Sequence, residues 1–436
     1  MKIPYLEKQP AEVIHRYQSR KLRELLRYLQ TNSPYYRRVF AARNVDIDLI
    51  HTVDDLVYLP ATTKEDLQQH NADFQCVPRK EIIDFVNTSG TLGRPVTFGL
   101  TDNDLDRLAY NEFLSFTTAG ATAGDVFQLM VTMDKRFMAG MAYFLGARKM
   151  GAGIIRAGNG LPGMQWNTIM ELRPDILIAV PSFLLKMLEY AVAHGIDPNT
   201  TSVSKVICVG ENIRNADFSL NALGERIVSK WDVTLHSTYA ATEMGAAFTE
   251  CAAGQGGHHQ PELLIVEILD DQNQPVPEGQ PGELTITTLG ITGMPLLRFK
   301  TGDICTRHTT PCTCGRHTQR LGPILGRKKQ MIKLKGTTLY PSAIFDVLNR
   351  MEFVKEYVVE VFNNELDTDE VVLHIHCGDS RNEMVAAIKQ HLQATLRVTP
   401  QIKFASAEEV RALQASVSLR KLTQFIDRRT QTPILV

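Results

Sequence analysis

The sequence has few of the features that mark membrane and secreted proteins. No segment approaches the roughly 20 consecutive apolar residues of a membrane span, and the first ten residues lack the apolar stretch of a signal peptide. Seven cysteines in 436 residues are too few, and odd in number, for a disulfide framework. We therefore expect a cytoplasmic protein without a membrane partner, whose cysteines are thiols or metal ligands.

A surplus of charge of one sign is also missing. The chain has 47 Lys and Arg residues against 48 Asp and Glu residues, which leaves a net charge of -1. This balance offers no long-range attraction to nucleic acid or anionic lipid. The hydrophobic fraction of 44% is sufficient for a large core and more than one domain. We therefore expect an enzyme that acts on small molecules and does not bind nucleic acid.

What the sequence does contain is an alternation of helix-like and strand-like segments. Apolar residues at helical spacing over 11–31 predict surface helices, and short apolar strands such as Lys205 to Val209 alternate with helical segments between about 105 and 245. A further helix is predicted from Arg381 to Leu396. This alternation predicts an α/β fold. We predict an N-terminal domain of residues 1–326, with a β-rich subdomain at about 250–325, and a small α+β C-terminal lid domain of residues 327–436.

The segment from Thr88 to Gly93 combines glycines with small hydroxyl residues directly after an apolar, strand-like run. Glycines leave room for a polyphosphate, and backbone N–H groups and hydroxyls can donate hydrogen bonds to its oxygens. The spacing is not that of a Walker loop, because Arg94-Pro95 follow where a lysine and a helix are needed. The same composition is also typical of a solvated hairpin turn. The candidate phosphate-binding residues are Thr88, Ser89, Gly90, Thr91 and Gly93.

Four further motifs follow this segment in order. Gly210-Glu211 end a predicted buried strand, which is where ligands bind in open α/β sheets. Tyr239 comes shortly before Thr242-Glu243, and the chain then reaches Arg298-Phe299-Lys300-Thr301-Gly302-Asp303 and finally Gly326-Arg327. Together with the Gly/Ser/Thr segment, this series resembles the motifs of the acyl-adenylate-forming (ANL) enzymes.

The segment Cys312-Thr313-Cys314-Gly315-Arg316 narrows the resemblance to the phenylacetate-CoA ligase-like branch of that superfamily. Membership of this branch implies a large N-terminal domain with a mobile C-terminal lid, and an ATP-dependent acid–CoA ligase of the AMP-forming type. The substrate would be an aryl or arylacetic acid such as phenylacetate, which is activated as an acyl-adenylate before its acyl group passes to CoA. The resemblance also suggests a homodimer.

The resemblance further implies roles for individual residues. The candidate phosphate-binding residues would hold the β- and γ-phosphates of ATP. Thr242 would donate to the α-phosphate, and Glu243 would bind Mg²⁺, which prefers carboxylate and phosphate oxygens. Asp303 would accept hydrogen bonds from the ribose hydroxyls, with Arg327 close by. The adenine would be bordered by Gly210, Glu211 and Tyr239.

The catalytic lysine of the family is expected at Lys421, upstream of a short apolar run that ends in Asp427. Four positions depart from the family pattern: Ala240 and Arg420 stand where glycine is usual, Leu92 where Thr is common and Arg94 where Lys is common. None of these removes a charge that the chemistry needs. The first two departures matter most. These departures motivate one alternative, a catalytically inactive nucleotide-binding homologue. A second alternative is an adenylate-forming enzyme that passes its acyl group to an acceptor other than CoA.

The cysteines make a separate argument. Three thiols and one imidazole, those of Cys251, His258, Cys312 and Cys314, form a Cys₃His set suited to Zn²⁺. Some ligases of the resembled branch carry a zinc site in the β-rich subdomain at matching positions. Such a zinc ion would be structural, because four protein ligands leave no open position for a substrate. His259 is the rival ligand, and free buried thiols are the alternative to a metal site.

Overall fold

The computed structural model describes residues 6–88, 96–334, 337–364, 369–377, 381–415 and 423–429. Of the predicted site residues, Ser89, Gly90, Thr91, Gly93 and Lys421 lie outside these ranges. The chain forms two compact units. The first unit comprises the chain up to Thr301 together with Cys305–Ile324, and the second comprises Gly302–Ile304 together with the chain from Leu325 onward.

The described helices begin with a long N-terminal pair and then recur between the strands of both units. They are α1 (Ala11–Asn32), α2 (Pro34–Ala42), α3 (Lys64–Gln69), α4 (Asp102–Thr118), α5 (Met138–Met150), α6 (Pro162–Leu172), α7 (Pro181–Ala193), α8 (Ala222–Val228), α9 (Pro341–Asn349), α10 (Arg381–Leu396) and α11 (Ala407–Ala415). Among the described residues, no helix is long and apolar enough to cross a membrane.

The described strands are mostly short. They are β1 (Asp84–Asn87), β2 (Thr97–Leu100), β3 (Val126–Leu129), β4 (Gly153–Arg156), β5 (Ile176–Ala179), β6 (Lys205–Val209), β7 (Thr234–Ala241), β8 (Ala246–Thr249), β9 (Gly257–His258), β10 (Leu264–Leu269), β11 (Gly282–Thr288), β12 (Phe299–Cys305), β13 (Arg307–His308), β14 (Arg320–Leu321), β15 (Gly326–Arg327), β16 (Ile332–Leu334), β17 (Thr337–Leu339), β18 (Val354–Asn363), β19 (Asp369–Cys377), β20 (Gln401–Phe404) and β21 (Phe425–Asp427).

The first unit contains a nine-stranded sheet of order β13-β14-β9-β8-β7-β6-β5-β3-β4. The five strands from β7 to β4 in this order run parallel, whereas β8, β9, β14 and β13 continue the sheet antiparallel. Every residue of β5 is buried, as expected for a parallel strand covered by helices on both faces. The carboxyl ends of β6 and β7 therefore meet at one edge of the sheet, where the predicted motifs begin.

Helix α4 attaches this sheet to the chain segment around residue 292. Thr101 and Asp104 form a capping box at the start of the helix. The Asp104 carboxylate also accepts hydrogen bonds from Thr292 N at 2.7 Å and Gly293 N at 2.9 Å. A Cβ atom at Gly293 would lie 2.3 Å from the carbonyl oxygen of Gly99, so only glycine fits there. The start of α4 is thus held against a segment nearly 190 residues away in sequence.

The second unit is an α+β structure with its own core. Strands β20-β19-β18-β21 form one sheet, in which β18 and β19 are antiparallel and the two edge strands are parallel to their neighbours. Strands β16 and β17 form a separate hairpin. The apolar faces of α9 and α10 contribute Ile344, Val347 and Ile388 to the core beneath the sheet.

Arg429 connects three parts of the second unit. Its guanidinium binds both carboxylate oxygens of Asp427 at 2.7 and 2.9 Å and one oxygen of Asp369 at 2.9 Å. It also donates to the carbonyl oxygens of Met331 at 2.8 Å and Lys329 at 3.2 Å. The end of β21 is therefore held against the start of β19 and the segment before β16.

The predicted α/β fold class, with a β-rich part in the first unit and a small α+β unit after it, is confirmed. The predicted strand Lys205 to Val209 and the predicted helix Arg381 to Leu396 have the observed bounds. Helix α11 and strand β21 were not predicted from the sequence. The interpretation of residues 327–436 as a lid stays a prediction.

A buried carboxyl lies where α4 packs against α5. The Glu112 side chain is buried, a Cβ at Gly146 would lie 2.3 Å from its Cβ, and its Oε1 accepts from Asn111 Nδ2 at 3.0 Å. Its Oε2 has no hydrogen-bond partner among the described residues. Burial raises the pKa of Glu112 to about 8. The native protein therefore holds this carboxyl in its neutral form at neutral pH.

This raised pKa makes the stability of the first unit depend on pH. Below the ordinary carboxyl pKa of about 4.5 the group is protonated in both the native and the unfolded chain and has no linkage effect. Between that value and about 8 the unfolded chain ionises first, so stability falls by about 1.4 kcal/mol per pH unit. We expect Glu112→Gln to lose this part of the pH dependence, as measured by denaturant unfolding between pH 5 and 9. The expectation would be contradicted if the free energy of unfolding changed with pH in the same way for the wild type and the variant.

Candidate active site

The β1–β2 hairpin positions the base of the predicted phosphate loop. Asn87 pairs with Thr97 across the hairpin. The next residue, Thr88, is buried, donates its backbone N–H to Val96 O at 3.0 Å and accepts from Val96 N on its hydroxyl oxygen at 3.0 Å. Thr88 therefore closes the base of the loop, and its hydroxyl oxygen is already engaged there as an acceptor. The other predicted loop residues lie outside the described ranges.

An exposed cation that the sequence analysis did not single out lies beside this hairpin. Asn87 N donates to Arg136 O at 3.0 Å. With the Asn87 amide oriented so that its oxygen faces Arg136, that oxygen accepts from the guanidinium at 3.1 and 3.2 Å. Arg136 has a positive φ of 57°, which is uncommon for a residue with a side chain. The backbone conformation after β3 thus brings a positive charge to the base of the predicted phosphate loop.

The turn between β7 and β8 carries Thr242 and Glu243, both half-buried. Gly245 completes the turn with a φ of +53° and donates its N–H to Thr242 O at 3.3 Å. The buried Arg107 holds the turn in place, because it donates to the carbonyl oxygens of Gly245, Leu289 and Leu263 at 2.7 Å each. Burial lowers the pKa of Arg107 to about 10, so the guanidinium stays charged at neutral pH.

A cavity opens beside this turn, and we call it the Thr-Glu cavity. Its lining is largely apolar, with the Asp104 and Glu243 carboxylates and the Arg107 guanidinium among it. The lining residues are Phe98, Gly99, Leu100, Asp104, Arg107, Leu108, Met138, Thr242, Glu243, Gly245, Ile291 and Met294.

A second cavity, the Tyr239 cavity, lies at the carboxyl ends of β6 and β7. Val209 pairs with Thr238, so Gly210 follows directly beside Tyr239. The neighbouring Glu211 carboxylate accepts from Ser182 N at 2.8 Å and Ser182 Oγ at 2.9 Å. The lining of the cavity is Asn212, Arg214, Ser237, Tyr239, Phe248, Glu250, Gly256, Gly257, Leu321, Gly322, Pro323 and Ile324.

The second unit holds Asp303 and Arg327, the two residues predicted to lie beside the ribose. Asp303 pairs in register with Arg327 across β12 and β15, and Arg327 Nε donates to Asp303 Oδ1 at 3.3 Å. Asp303 is buried and Arg327 is about one third exposed on its side chain. Their proximity was expected from the resemblance. Asp303 lies within strand β12.

The four predicted metal ligands come together in the first unit, in what we call the Cys₃His cluster. The ligand atoms of Cys251, His258, Cys312 and Cys314 all lie within 4.8 Å of one another. The Cys251 and Cys312 sulfurs are 3.6 Å apart, and Cys314 Sγ is 3.5 Å from His258 Nε2. His259 is not part of the cluster, because its Nε2 donates to Leu264 O at 2.6 Å.

These distances fit a tetrahedral zinc ion. With Zn–S bonds of about 2.3 Å and Zn–N bonds of about 2.0 Å, neighbouring ligand atoms lie about 3.5 to 3.8 Å apart. Burial, and to a lesser extent the positive charges of Arg316 and Arg320, lowers the pKa of His258 to about 3. Its imidazole is therefore neutral and able to coordinate a metal ion. Burial raises the pKa of Cys314, but hydrogen bonds with Arg316, Cys312 and Cys251 together outweigh this effect, and its pKa is lowered overall. The residues therefore suit Zn²⁺ in donor type and in spacing.

The fold and the position of these cavities are those of the α/β proteins that bind ligands at the carboxyl ends of parallel strands. Comparison with known proteins gives the family. Residues 37–294, more than half of the chain, match the family model described as AMP-binding enzyme. The chain therefore belongs to the AMP-binding enzyme family, as the motif series predicted.

Individual relatives agree with this assignment. The chain is 29% identical to a phenylacetate-coenzyme A ligase of Thermus thermophilus, over 91% of this chain and 94% of the relative. It is also 29% identical to a phenylacetate-coenzyme A ligase of Aromatoleum evansii, over 85% and 84% of the two chains. These relatives confirm the resemblance to the phenylacetate-CoA ligase-like branch.

Solved structures support the fold. The crystal structure of a 2-hydroxyisobutyryl-CoA ligase in its postadenylation state superimposes with a TM-score of 0.84 at 23% identity, over 98% of this chain and 92% of the other. At this identity the likeness establishes a common fold.

Proposed function

We propose that this protein is an ATP-dependent, AMP-forming acid–CoA ligase that activates an aryl or arylacetic acid such as phenylacetate. The observation that carries the proposal is the turn of Thr242 and Glu243 at the rim of a largely apolar cavity. This geometry would let the acid carboxylate approach the α-phosphate of ATP while its apolar part is buried. The names of the phenylacetate-coenzyme A ligases support the choice of acid and of CoA.

The first step joins two anions, so catalysis depends on oriented donors and positive charge. The predicted phosphate-loop residues would hold the β- and γ-phosphates, and Thr242 would donate to the α-phosphate. Glu243 would hold Mg²⁺, which supplies positive charge to the phosphate oxygens. The acid carboxylate attacks the α-phosphorus and pyrophosphate leaves, with Lys421 stabilising the charge that develops between the reacting groups.

The nucleoside is held by the remaining predicted residues. Tyr239 offers an aromatic face for adenine beside the backbone of Gly210 and Glu211. Asp303 would accept hydrogen bonds from the ribose hydroxyls, and its contact with Arg327 would keep the carboxylate oriented. In the second step the CoA thiolate attacks the acyl carbon of the acyl-adenylate, and AMP leaves as the thioester forms.

Three finer points belong to the same proposal. The Cys₃His cluster would hold Zn²⁺ with a structural role, because its four ligands fill a tetrahedral shell. The chain would act in the cytoplasm. It would also form a homodimer, which light scattering of the purified protein would test directly.

The deciding experiment measures AMP formation by the purified protein with ATP and Mg²⁺. A panel of aryl, arylacetic and aliphatic acids is run with and without CoA. We expect AMP release that requires both CoA and an aryl or arylacetic acid. Acid-dependent pyrophosphate exchange with no effect of CoA would favour another acyl acceptor. Nucleotide binding without turnover on any acid would favour the inactive homologue.

A further inference from the structure

The Cys₃His cluster and the Tyr239 cavity are built from the same two chain segments. Cys251 and His258 close a loop whose Gly256 and Gly257 line the cavity, as does Glu250 directly before the loop. The other two ligands precede β14, and that strand continues directly into the second wall of the cavity, from Leu321 to Ile324.

These two walls are packed in direct contact. His258 pairs with Arg320 and Gly257 with Leu321 in the β9–β14 ladder. A Cβ atom at Gly256 would lie 2.5 Å from the carbonyl oxygen of Leu321, so only glycine permits this approach. A displacement of the ligand loop therefore moves the wall of the cavity with it.

Glu250 links the ligand loop to two further residues that line the cavity, Arg214 and Ser237. It directly precedes Cys251, and its carboxylate, with 3% of the side chain exposed, pairs with Arg214 Nε at 3.0 Å. The same carboxylate accepts from Ser237 N at 3.1 Å, and Glu250 N donates to Ser237 O at 3.0 Å. Arg214 and Ser237 both line the cavity. One side chain next to a metal ligand thus fixes the backbone that leads to Tyr239.

We propose that a metal ion in the Cys₃His cluster sets the affinity of the Tyr239 cavity for nucleotide, with Glu250 as the positioning residue that connects the two. The inference rests on the proposed function, in which the adenine lies against Tyr239, a residue of this cavity's lining. A metal ion links the ligand loop to the segment of Cys312 and Cys314, so both walls are ordered before nucleotide binds. Without the metal, nucleotide binding must order the walls itself, and the affinity falls by that cost.

The test measures the dissociation constant of AMP by calorimetry, together with metal content by mass spectrometry. Cys314→Ser is the first variant, because Cys314 is the least buried of the four ligands. Cys377→Ser, in the second unit, is its control. We expect the Cys314 variant to lose its metal and to bind AMP at least about tenfold more weakly, while the control retains both. A folded, metal-free variant that binds AMP as tightly as the wild type overturns the proposal.

A second variant tests the proposal even if loss of a metal-ligating residue prevents folding. Glu250→Gln preserves the size of the side chain and removes its charge. Glu267→Gln is matched to it, since Glu267 also forms a buried pair with an arginine, Arg298, at 2.9 Å and lies outside the cavity lining. We expect Glu250→Gln to retain its metal and bind AMP several-fold more weakly, and Glu267→Gln to bind AMP normally.

Equal affinities in the two Glu variants would overturn the role of Glu250. Failure of the wild-type, metal-containing protein to bind AMP at all would overturn the proposed function itself. The two failures are therefore distinguished by the wild-type measurement alone.

Discussion

Glu243→Gln is expected to lower the rate of acyl-adenylate formation by about 100- to 1000-fold, the range found when one charge-stabilising group is removed from an active site. The substitution keeps the size of the side chain and its ability to accept a hydrogen bond, but it removes the charge that would hold Mg²⁺ at the turn after β7. Acid-dependent pyrophosphate exchange measures this step without a contribution from CoA.

The Mg²⁺ dependence separates this role from a general structural one. If Glu243 binds the metal ion, the variant should need a higher Mg²⁺ concentration for half-maximal exchange. The control is Glu225→Gln, an exposed carboxylate in α8 that should leave the exchange rate unchanged. A Glu243 variant with a wild-type rate and Mg²⁺ requirement would show that the assignment is wrong.

Lys421→Ala is expected to have an effect of similar size, because its ammonium would stabilise the charge that develops as the carboxylate attacks the α-phosphate. The loss should fall on adenylation. Thioester formation from a synthetic acyl-adenylate and CoA should fall much less, since that step begins after pyrophosphate has left. Measuring the two half-reactions separately tests the role directly.

The matched control for this variant is Lys403→Ala, which removes an exposed lysine of β20 in the same unit. It should leave both half-reactions unchanged. Wild-type turnover in Lys421→Ala would overturn the assignment of the catalytic lysine, and it would favour a second cation at the phosphates. Arg136, beside the β1–β2 hairpin, is the described residue best placed to be examined next.

The sequence predicted those elements whose apolar pattern is strong. Strand β6 is an apolar run after Lys205, and α10 buries Ile388 and Leu392 four residues apart, and both were predicted with their observed bounds. Helix α11 was missed because it has only nine residues and only one of its two buried residues, Val410, is apolar. Strand β21 has three residues, and its pairing with β18 is a tertiary contact that no local pattern reports.

The residues of the candidate site also differ in how far the sequence predicts them. Order along the chain was sufficient to predict Thr242, Glu243 and Asp303 as members of known motifs. The choice between His258 and His259 could not be made, because the two are adjacent and only the strand geometry of β9 determines which one faces the cysteines. Arg136 carries no sequence signal, since its position depends on an unusual backbone conformation after β3.

The position of Arg429 has a consequence for how the protein is made. Its side chain holds Asp369 and the carbonyl groups of Lys329 and Met331, so the contacts that complete the second unit span about 100 residues. During synthesis these contacts cannot form until the segment around Arg429 has left the ribosome, whereas the first unit needs nothing beyond Ile324. The nascent chain should therefore acquire the Tyr239 cavity and the Cys₃His cluster while the second unit is still incomplete.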